Sequence, residues 1–128
     1  MNENISIAPN ALDDKLRVLG RWMEEKKGLD IRLLDVTPLS SVFEGVVLVT
    51  AKNVRQAQTL ADNLLRMLKD EKMEYLGMEG YRPGDWVLID LNDVVVHIFL
   101  EDTRKFYNLD GFWSKAREID PPPEAENG

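Results

Sequence analysis

The sequence predicts an α+β (mixed α/β) fold, in which helices pack against a mixed β-sheet. Two observations predict it: apolar, β-branched runs of strand length, and two long segments whose apolar residues recur with helical spacing. Their order is α-β-β-α-(β)-β-β-α, which lacks the strict alternation of a parallel α/β sheet. The 128 residues, 44% of them hydrophobic, suffice for one core but not for two ordinary domains. We therefore expect a single domain at 10–118, between a flexible N-terminus at 1–9 and a disordered acidic tail at 119–128.

Two amphipathic helices are predicted. The first begins at Asn10 and ends near Gly28, because asparagine is a favoured N-cap and glycine a favoured helix terminator. The second begins at Asn53, with Gln56 as its capping partner, and runs to about Lys72. Helically spaced apolar residues define the faces that pack on the sheet, namely Leu12, Leu16, Leu19 and Met23 in the first helix and Val54, Ala57, Leu60, Ala61, Leu64 and Leu68 in the second.

Two strands are predicted between these helices. Residues 31–36 are rich in branched apolar side chains and end before Pro38. Residues 43–50 contain the run 46–49, which is apolar on both faces and is therefore typical of a central strand. Residues 73–80, beyond the second helix, are ambiguous, because they are apolar enough for a short strand but contain two glycines.

A tight β-hairpin is the strongest local prediction. Residues 86–90 and 94–99 are β-branched and apolar, and Asn92 and Asp93 between them tolerate the positive φ that a two-residue turn demands. Strand alternation on the second arm predicts one face made of Val95, His97 and Phe99 and another made of Val94, Val96 and Ile98.

Aromatic residues concentrate in the hairpin and in the segment that follows it. A short helix capped by Asp102 or Thr103 is expected to run through Tyr107, and Gly111 is expected to interrupt the chain after it. The last third of the chain holds six of its ten aromatic residues, namely Trp86, Phe99, Phe106, Tyr107, Phe112 and Trp113. Aromatic side chains are the commonest anchors of protein interfaces, so the cluster indicates a binding surface, although some members must also fill the core.

Composition excludes several classes of function. The 16 Lys and Arg residues against 23 Asp and Glu give a net charge of −7, which opposes non-specific association with a phosphate backbone. Little direct nucleic-acid contact is expected, unless a local basic patch provides it. The absence of cysteine excludes disulfides, thiolate zinc sites and a cysteine nucleophile. No apolar stretch approaches the roughly 20 residues of a membrane helix, and no targeting pattern opens the chain, so a soluble cytoplasmic protein is expected.

Few residues are candidates for chemistry. His97 is the sole histidine, which excludes a histidine-rich metal site, and a partly buried, hydrogen-bonded role is favoured over direct contact with a partner. Asp90 and Asp93 flank the tight turn, where aspartate occurs for backbone reasons, so a turn role is favoured over interaction or metal binding. The loop before Asn53 leads into a helix N-terminus but lacks a glycine-rich phosphate motif. We therefore predict no catalytic residue, metal or cofactor.

The segment 86–113 resembles the ribosomal silencing factor family, RsfS in bacteria and Iojap in organelles. The family pattern reads approximately W-V-[IL]-[IV]-D-x-[GN]-D-[VI]-[VI]-V-H-[VI], followed by an arginine, a tyrosine and a tryptophan. Its matches in this sequence are Trp86, Asp90, Asp93, His97, Arg104, Tyr107, Leu109 and Trp113. The resemblance extends over roughly residues 11 to 115.

The resemblance implies a nucleotidyltransferase-like fold without that enzyme's chemistry. Enzymes of this fold hold metal ions with paired acidic residues on one strand, whereas this chain has only Glu44 there and no Asp-x-Asp motif. Family members are non-catalytic factors that bind the large ribosomal subunit through large-subunit ribosomal protein fourteen. They block joining of the small subunit and so repress translation under nutrient limitation. A further role in large-subunit biogenesis, and a homodimer in the free state, are also implied.

Carried onto this chain, the resemblance implies a contact surface in the hairpin and its exit. The implied contact residues are Trp86, Asp90, Arg104, Tyr107, Asn108 and Leu109, with His97, Asp93 and Trp113 as supports. Asp110 stands where many members have glutamate, and Gly111 replaces a better helix former, which predicts a looser exit segment. The rival interpretations are a metal-dependent nucleotidyltransferase and a binding module for another protein.

Overall fold

The structure, a computed structural model, describes residues 3–120 and the side chains of 11–120. The helices are α1 (Glu3–Glu25), α2 (Val54–Asp70), α3 (Glu101–Tyr107) and α4 (Leu109–Phe112). The strands are β1 (Leu29–Asp35), β2 (Gly45–Ala51), β3 (Gly77–Glu79), β4 (Trp86–Asp90), β5 (Val94–Leu100) and β6 (Arg117–Ile119).

The six strands form one mixed sheet in the order β3-β4-β5-β2-β1-β6. β2 and β5 pair in parallel, and every other neighbouring pair is antiparallel. The predicted α+β fold is therefore confirmed. The central position predicted for 46–49 is also confirmed, because β2 lies inside the sheet and all seven of its residues are buried. The ambiguous segment 73–80 contains the edge strand β3.

α1 and α2 cover one face of the sheet, and the predicted stripes form most of the core beneath them. The fully buried members of those stripes include Leu16, Leu19, Met23, Leu60, Leu64 and Leu68. The alternation predicted for β5 is confirmed, because Val94, Val96 and Ile98 join this core, whereas Phe99 joins a separate cluster on the opposite face. Val54 alone departs from its stripe, since it is 37% exposed at the first turn of α2.

The opposite face, called the open face below, carries no long helix among the described residues. Its smaller apolar cluster consists of Leu34, Val36, Val46, Leu48, Phe99 and Trp113. Phe43 of the loop before β2, Leu109 of α4 and Ala116 of the turn after α4 pack against this cluster. Part of the open face of the sheet therefore stays accessible beside these short elements.

The predicted cap of α2 is confirmed. Asn53 Oδ1 accepts a hydrogen bond from the Gln56 backbone N–H at 2.8 Å. The Gln56 side chain accepts from Lys52 N at 2.8 Å and donates to the carbonyl oxygen of Lys27 at 2.9 Å. Gln56 thus ties the loop after α1 to the start of α2, which a capping pattern read from sequence does not reveal.

The hairpin is also confirmed, with a turn that is tighter than predicted. Leu91 N donates to Val94 O at 2.8 Å, and Asp93 N donates to Leu91 O at 3.0 Å across a single residue. Asn92 has a φ of 79°, which asparagine tolerates better than most residues. Asp93 does not share this positive φ.

Two predicted helix starts are wrong. α1 begins at Glu3, so Asn10 lies inside a helix rather than at its cap. An N-cap residue favours a helix start but does not compel one when the preceding residues also accept helical geometry. The flexibility assigned to 1–9 stays a prediction, although 3–9 are helical. α3 begins at Glu101 and its N-cap is Leu100, without a side-chain hydrogen bond. The chain passes directly from β5 into α3, which leaves Asp102 and Thr103 inside the helix.

The predicted end of the domain is also wrong. Ile119 belongs to β6, where it pairs with Leu33 and is only 3% exposed. A three-residue strand is too short to show alternation, and only its pairing with β1 defines it. The folded part therefore includes at least residue 119. Residues 121–128 of the predicted tail lie outside the described residues.

We expect Ile119→Ala to lower the free energy of unfolding by about 2–4 kcal/mol, because it removes buried methyl groups from the end of the core. Ile119→Val, which removes one methylene, should cost only about 0.5–1.5 kcal/mol. Urea denaturation of both variants measures the difference. Wild-type stability in Ile119→Ala would show that the core does not depend on β6.

Candidate protein interface

A cavity of about 420 Å³ opens on the open face, between the hairpin, the loop before β2 and α4. We call it the groove. Its walls are mostly apolar and aromatic, with three polar side chains among them, and the lining residues are Val42, Phe43, Trp86, Leu88, Asp90, Asn92, Val95, His97, Leu109, Phe112 and Trp113. A cavity of this size and character is suited to one or two side chains of a protein or to a small ligand.

Trp86 organises the hairpin side of the groove. Its ring centroid lies 4.8 Å from that of Tyr107 and 5.6 Å from that of Phe99. Its indole Nε1–H donates to Nδ1 of His97 at 3.1 Å. Trp86 therefore joins the hairpin to α3 and keeps one edge of its ring at the groove.

His97 is held neutral by this geometry. Because the indole can only donate, His97 Nδ1 must accept, and the imidazole proton resides on Nε2. The ring is 9% exposed, and burial lowers the pKa of His97 to about 4. The predicted partly buried, hydrogen-bonded histidine is thus confirmed.

The turn of the hairpin supplies the acidic rim of the groove. Asp90 Oδ1 accepts from Asn92 N at 2.8 Å, so the predicted turn role is confirmed. Asp93 lies behind the rim, where its carboxylate pairs with Lys15 of α1 at 2.7 Å. The Asp93 carbonyl accepts from Glu44 N at 2.7 Å. Asp93 thus supports the turn by tying it to α1 and to the loop before β2.

Arg104 lies beneath the groove wall rather than on it. Its side chain donates to both carboxylate oxygens of Asp110 at 2.9 Å, to Asp30 O at 2.8 Å and to Thr50 Oγ1 at 2.8 Å. Its guanidinium also lies 5.7 Å from the ring centroid of Phe99. The residue is 9% exposed and four of its five N–H donors are engaged, so this geometry gives no support to the predicted partner contact, which stays a prediction. Its position between sheet and exit segment instead fits a positioning residue.

Asp110 links Arg104 to the sheet edge. Its Oδ2 also accepts from Arg32 Nη1 at 2.9 Å, and Arg32 in turn pairs with Glu118 of β6 at 2.7 Å. The hydrogen bonds from Arg104, followed in effect by those from Arg32, lower the pKa of Asp110 to about 2 despite partial burial. The shorter reach of aspartate at this position is therefore sufficient for a double ion pair.

The exit segment is held by an asparagine cap between α3 and α4. Asn108 adopts a left-handed conformation with a φ of 51°, ends α3 and caps α4. Its Oδ1 accepts from Gly111 N at 3.1 Å, and a Cβ at Gly111 would lie 2.4 Å from Asn108 Nδ2. The missing side chain at Gly111 makes room for this cap, and the predicted looseness of the segment stays a prediction. Asn108 therefore has a structural role as the cap of α4. The resemblance had implied only a partner contact for it.

Large apolar side chains surround the groove at the surface. Val42 is 79% exposed, Phe112 72%, Phe106 80% and Tyr107 54%. Leu109 is half-buried at the floor of the groove, and Trp113 is buried beside it. The partner contact implied for Leu109 stays a prediction. Phe106 does not pack inward, which was one of the two roles left open for it.

Sequence reasoning missed Val42 and Phe43, which form the far wall of the groove. Ser40 Oγ accepts from Val42 N at 3.1 Å and from Phe43 N at 3.4 Å, and this turn presents both side chains. The ring of Phe43 packs edge-on against Trp113 with centroids 6.0 Å apart. Two large apolar residues directly after a polar turn are the signal that could have found them.

The chemistry of the groove is that of recognition. It offers apolar walls, the neutral imidazole of His97, the amide of Asn92 and the carboxylate of Asp90. Within 11–120, no three His, Cys, Asp or Glu side chains come together as a metal site would require. No helix in the described residues is long and apolar enough to span a membrane.

We expect the stability of the wild-type protein to fall by up to about 3 kcal/mol between pH 6.5 and pH 4. In this window the unfolded chain protonates His97, whose ordinary pKa is 6.5, whereas the folded chain keeps it neutral until about pH 4. Denaturant unfolding at several pH values measures the slope, with His97→Gln as the control that lacks a titrating group. An equal slope in the variant would contradict the assignment, since the chain has no other histidine.

We expect Asp110→Asn to lower the free energy of unfolding by about 1–3 kcal/mol, because it leaves the buried Arg104 without its charged partner. The contribution of Asp110 is present above its ordinary pKa of 3.8 and is lost as the pH falls towards 2. Urea titration at pH 7 measures the loss. Glu101→Gln, which breaks an exposed pair with Lys105, is the control and should change stability little.

Comparison with known proteins identifies the family of this chain. The family model described as "Ribosomal silencing factor during starvation" matches residues 9–128. A ribosomal silencing factor RsfS from Chromobacterium violaceum is 37% identical over 91 residues, which make up 71% of this chain and 75% of that protein. A crystal structure of a protein from the same organism is similar with a TM-score of 0.74 and 34% identity, and the match covers 88% of this chain and 89% of the other.

A more distant relative is the mouse protein named "Mitochondrial assembly of ribosomal large subunit protein 1". It is 25% identical over 95 residues, which make up 72% of this chain and 42% of that protein. Because the family model covers nearly the whole chain and bacterial relatives exceed 30% identity over most of it, the protein belongs to the ribosomal silencing factor family.

Proposed function

We propose that the protein binds the large ribosomal subunit through large-subunit ribosomal protein fourteen and sterically blocks joining of the small subunit. The observation that carries this proposal is the groove, an apolar cavity with exposed aromatic residues at its edge in a chain of the ribosomal silencing factor family. A steric block of subunit joining requires a surface that is complementary to the partner, and it requires no reactive group. The absence of an acidic pair on β2 fits such a non-catalytic role.

The side chains around the groove suit a protein partner. Trp86 and Tyr107 lie in tilted contact with their centroids 4.8 Å apart and present large, rigid, partly exposed rings. Such rings bury much area with little loss of rotamer freedom, which makes them common hot spots. Leu109 adds an apolar contact at the floor of the groove.

The charges favour a basic protein over ribosomal RNA. Asp90 places a carboxylate on the rim, and the chain carries a net charge of −7. An acidic surface is attracted to basic ribosomal proteins and repelled by phosphates. Direct contact with nucleic acid therefore plays little part in the proposed complex.

The physiological consequence of the proposed block is repression of translation when nutrients are limiting. The name of the mouse relative refers to assembly of the large ribosomal subunit, which favours a second role in large-subunit biogenesis. Both roles use the same surface, since an assembly factor and a silencing factor would each occupy the subunit before joining. We place this activity in the cytoplasm, with the free protein as a homodimer.

The direct test is co-sedimentation of the purified protein with isolated large subunits, before and after addition of small subunits. The expected result is binding to free large subunits and a lower yield of joined ribosomes. Normal joining in the presence of saturating protein would contradict the steric mechanism. Binding to the subunit without binding to purified ribosomal protein fourteen would contradict the proposed docking site.

We expect Tyr107→Ala to weaken binding to ribosomal protein fourteen by at least about fivefold, because a hot-spot ring contributes more than about 1 kcal/mol. The ring is 54% exposed, so the fold should survive its removal. Calorimetric titration measures the affinity, and thermal unfolding checks the fold. Val18→Ala, at an exposed apolar residue of α1 on the other side of the sheet, is the control and should bind like the wild type. Unchanged binding by Tyr107→Ala would remove Tyr107 from the interface.

A further inference from the structure

We propose that the groove recognises a neutral hydrogen-bond acceptor of its partner through the Nε2–H of His97. This inference rests on the proposed function, and it names the chemistry that the site selects. The occupant is a loop of large-subunit ribosomal protein fourteen that inserts an apolar side chain and presents a carbonyl oxygen beside it. His97 is thereby a specificity-determining residue rather than only a support for the hairpin.

The first step is that His97 offers a donor of fixed identity. The Trp86 indole has one N–H and no acceptor, and it points at His97 Nδ1 from 3.1 Å. A proton on Nδ1 would clash with that indole proton. The hydrogen bond from Trp86 therefore fixes the imidazole tautomer and leaves Nε2 as the protonated nitrogen, because the bond made by one ring nitrogen determines which nitrogen carries the proton.

The second step is that this donor faces the groove. Every buried side-chain nitrogen or oxygen within the described part of the chain has a hydrogen-bond partner. His97 Nε2 makes no hydrogen bond with a described residue, so it must be accessible, although the whole side chain is 91% inaccessible. The accessible space beside His97 is the groove that it lines.

The third step is that the donor selects a neutral acceptor. The surrounding walls come from Trp86, Leu88, Val95 and Leu109, so a partner must give up its water to enter. A carboxylate or phosphate would lose its hydration and would also approach Asp90 on the rim. A carbonyl oxygen loses less hydration free energy on entering the groove, and it gains one hydrogen bond from the Nε2–H of His97. A partner without an acceptor at this position would leave the Nε2–H unpaired.

The single histidine makes this inference directly measurable in the free protein. Protein labelled with ¹⁵N on the imidazole gives signals from His97 only. At pH 7 we expect the Nε2–H tautomer, with a protonated Nε2 and an unprotonated Nδ1. Observation of the Nδ1–H tautomer, or of a charged ring, would overturn the proposal before any partner is added.

The second arm adds purified ribosomal protein fourteen. We expect the Nε2–H proton to become protected from exchange with water and to shift downfield in the complex. A bound complex with unchanged His97 signals overturns this inference but leaves the proposed function standing. Failure of the wild type to bind overturns the proposed function, and with it the occupant stated here. His97 signals that depend on protein concentration without a partner would instead identify a second copy of the chain as the occupant.

Matched substitutions separate recognition from support. Phenylalanine at position 97 keeps the ring but removes the donor, and we expect His97→Phe to weaken binding by about tenfold or more, as loss of a buried hydrogen bond does. Glutamine keeps an acceptor for Trp86 and an N–H for the partner, so His97→Gln should bind within about threefold of the wild type. Thermal unfolding monitors both variants.

The glutamine variant keeps the inference falsifiable if His97→Phe does not fold. A well-folded His97→Gln that has lost binding would show that hydrogen-bond donation is not what position 97 supplies. Equal binding by a folded His97→Phe would show the same. Trp86→Phe, which releases Nδ1, should make both tautomers visible in the free protein, and a single unchanged tautomer there would overturn the role assigned to the indole.

Discussion

The structure depends on a mismatch between an apolar sheet and its helical cover. β2 is buried along its whole length on both faces, which requires a layer on each side. The two long helices lie on one side only. The opposite side is closed by short elements after β5 and by the loop before β2, which shield the middle of the sheet but not the hairpin. The groove is the part of the open face that these short elements leave uncovered.

The short elements on this side are held by charge as well as by the apolar contacts of Leu109 and Trp113. Arg104 reaches from α3 to the backbone at Asp30 and to Thr50 in β2, while Asp110 reaches from α4 to Arg32 in β1. Such bonds have directions, unlike apolar contacts, so they fix the orientation of the segment as well as its position. The rings of Tyr107 and Phe112 are consequently presented from a rigid wall, which lowers the entropy lost when a partner binds.

The sequence was sufficient for the elements whose stability is local or periodic. The α2 stripe, the hairpin and the buried strand β2 each follow from spacing and side-chain shape over a few residues. It was insufficient for β6, whose three residues are defined by pairing with β1 more than eighty positions away. It also could not show that Arg104 is buried, because a buried arginine and an exposed one look alike until the partners at Asp30, Thr50 and Asp110 are assembled around it. The far wall of the groove went unseen for the same reason, since Val42 and Phe43 come from a loop far from the hairpin in sequence.

The two edges of the sheet have a consequence for how the protein behaves in a crowded solution. β3 and β6 are each only three residues long, so each edge offers a foreign strand very few unpaired N–H and C=O groups. Long flat edges invite strand addition and aggregation, and short ones resist it. With backbone association discouraged at both ends, contacts between side chains are the main route left for association, and such contacts can form and release without remodelling the sheet.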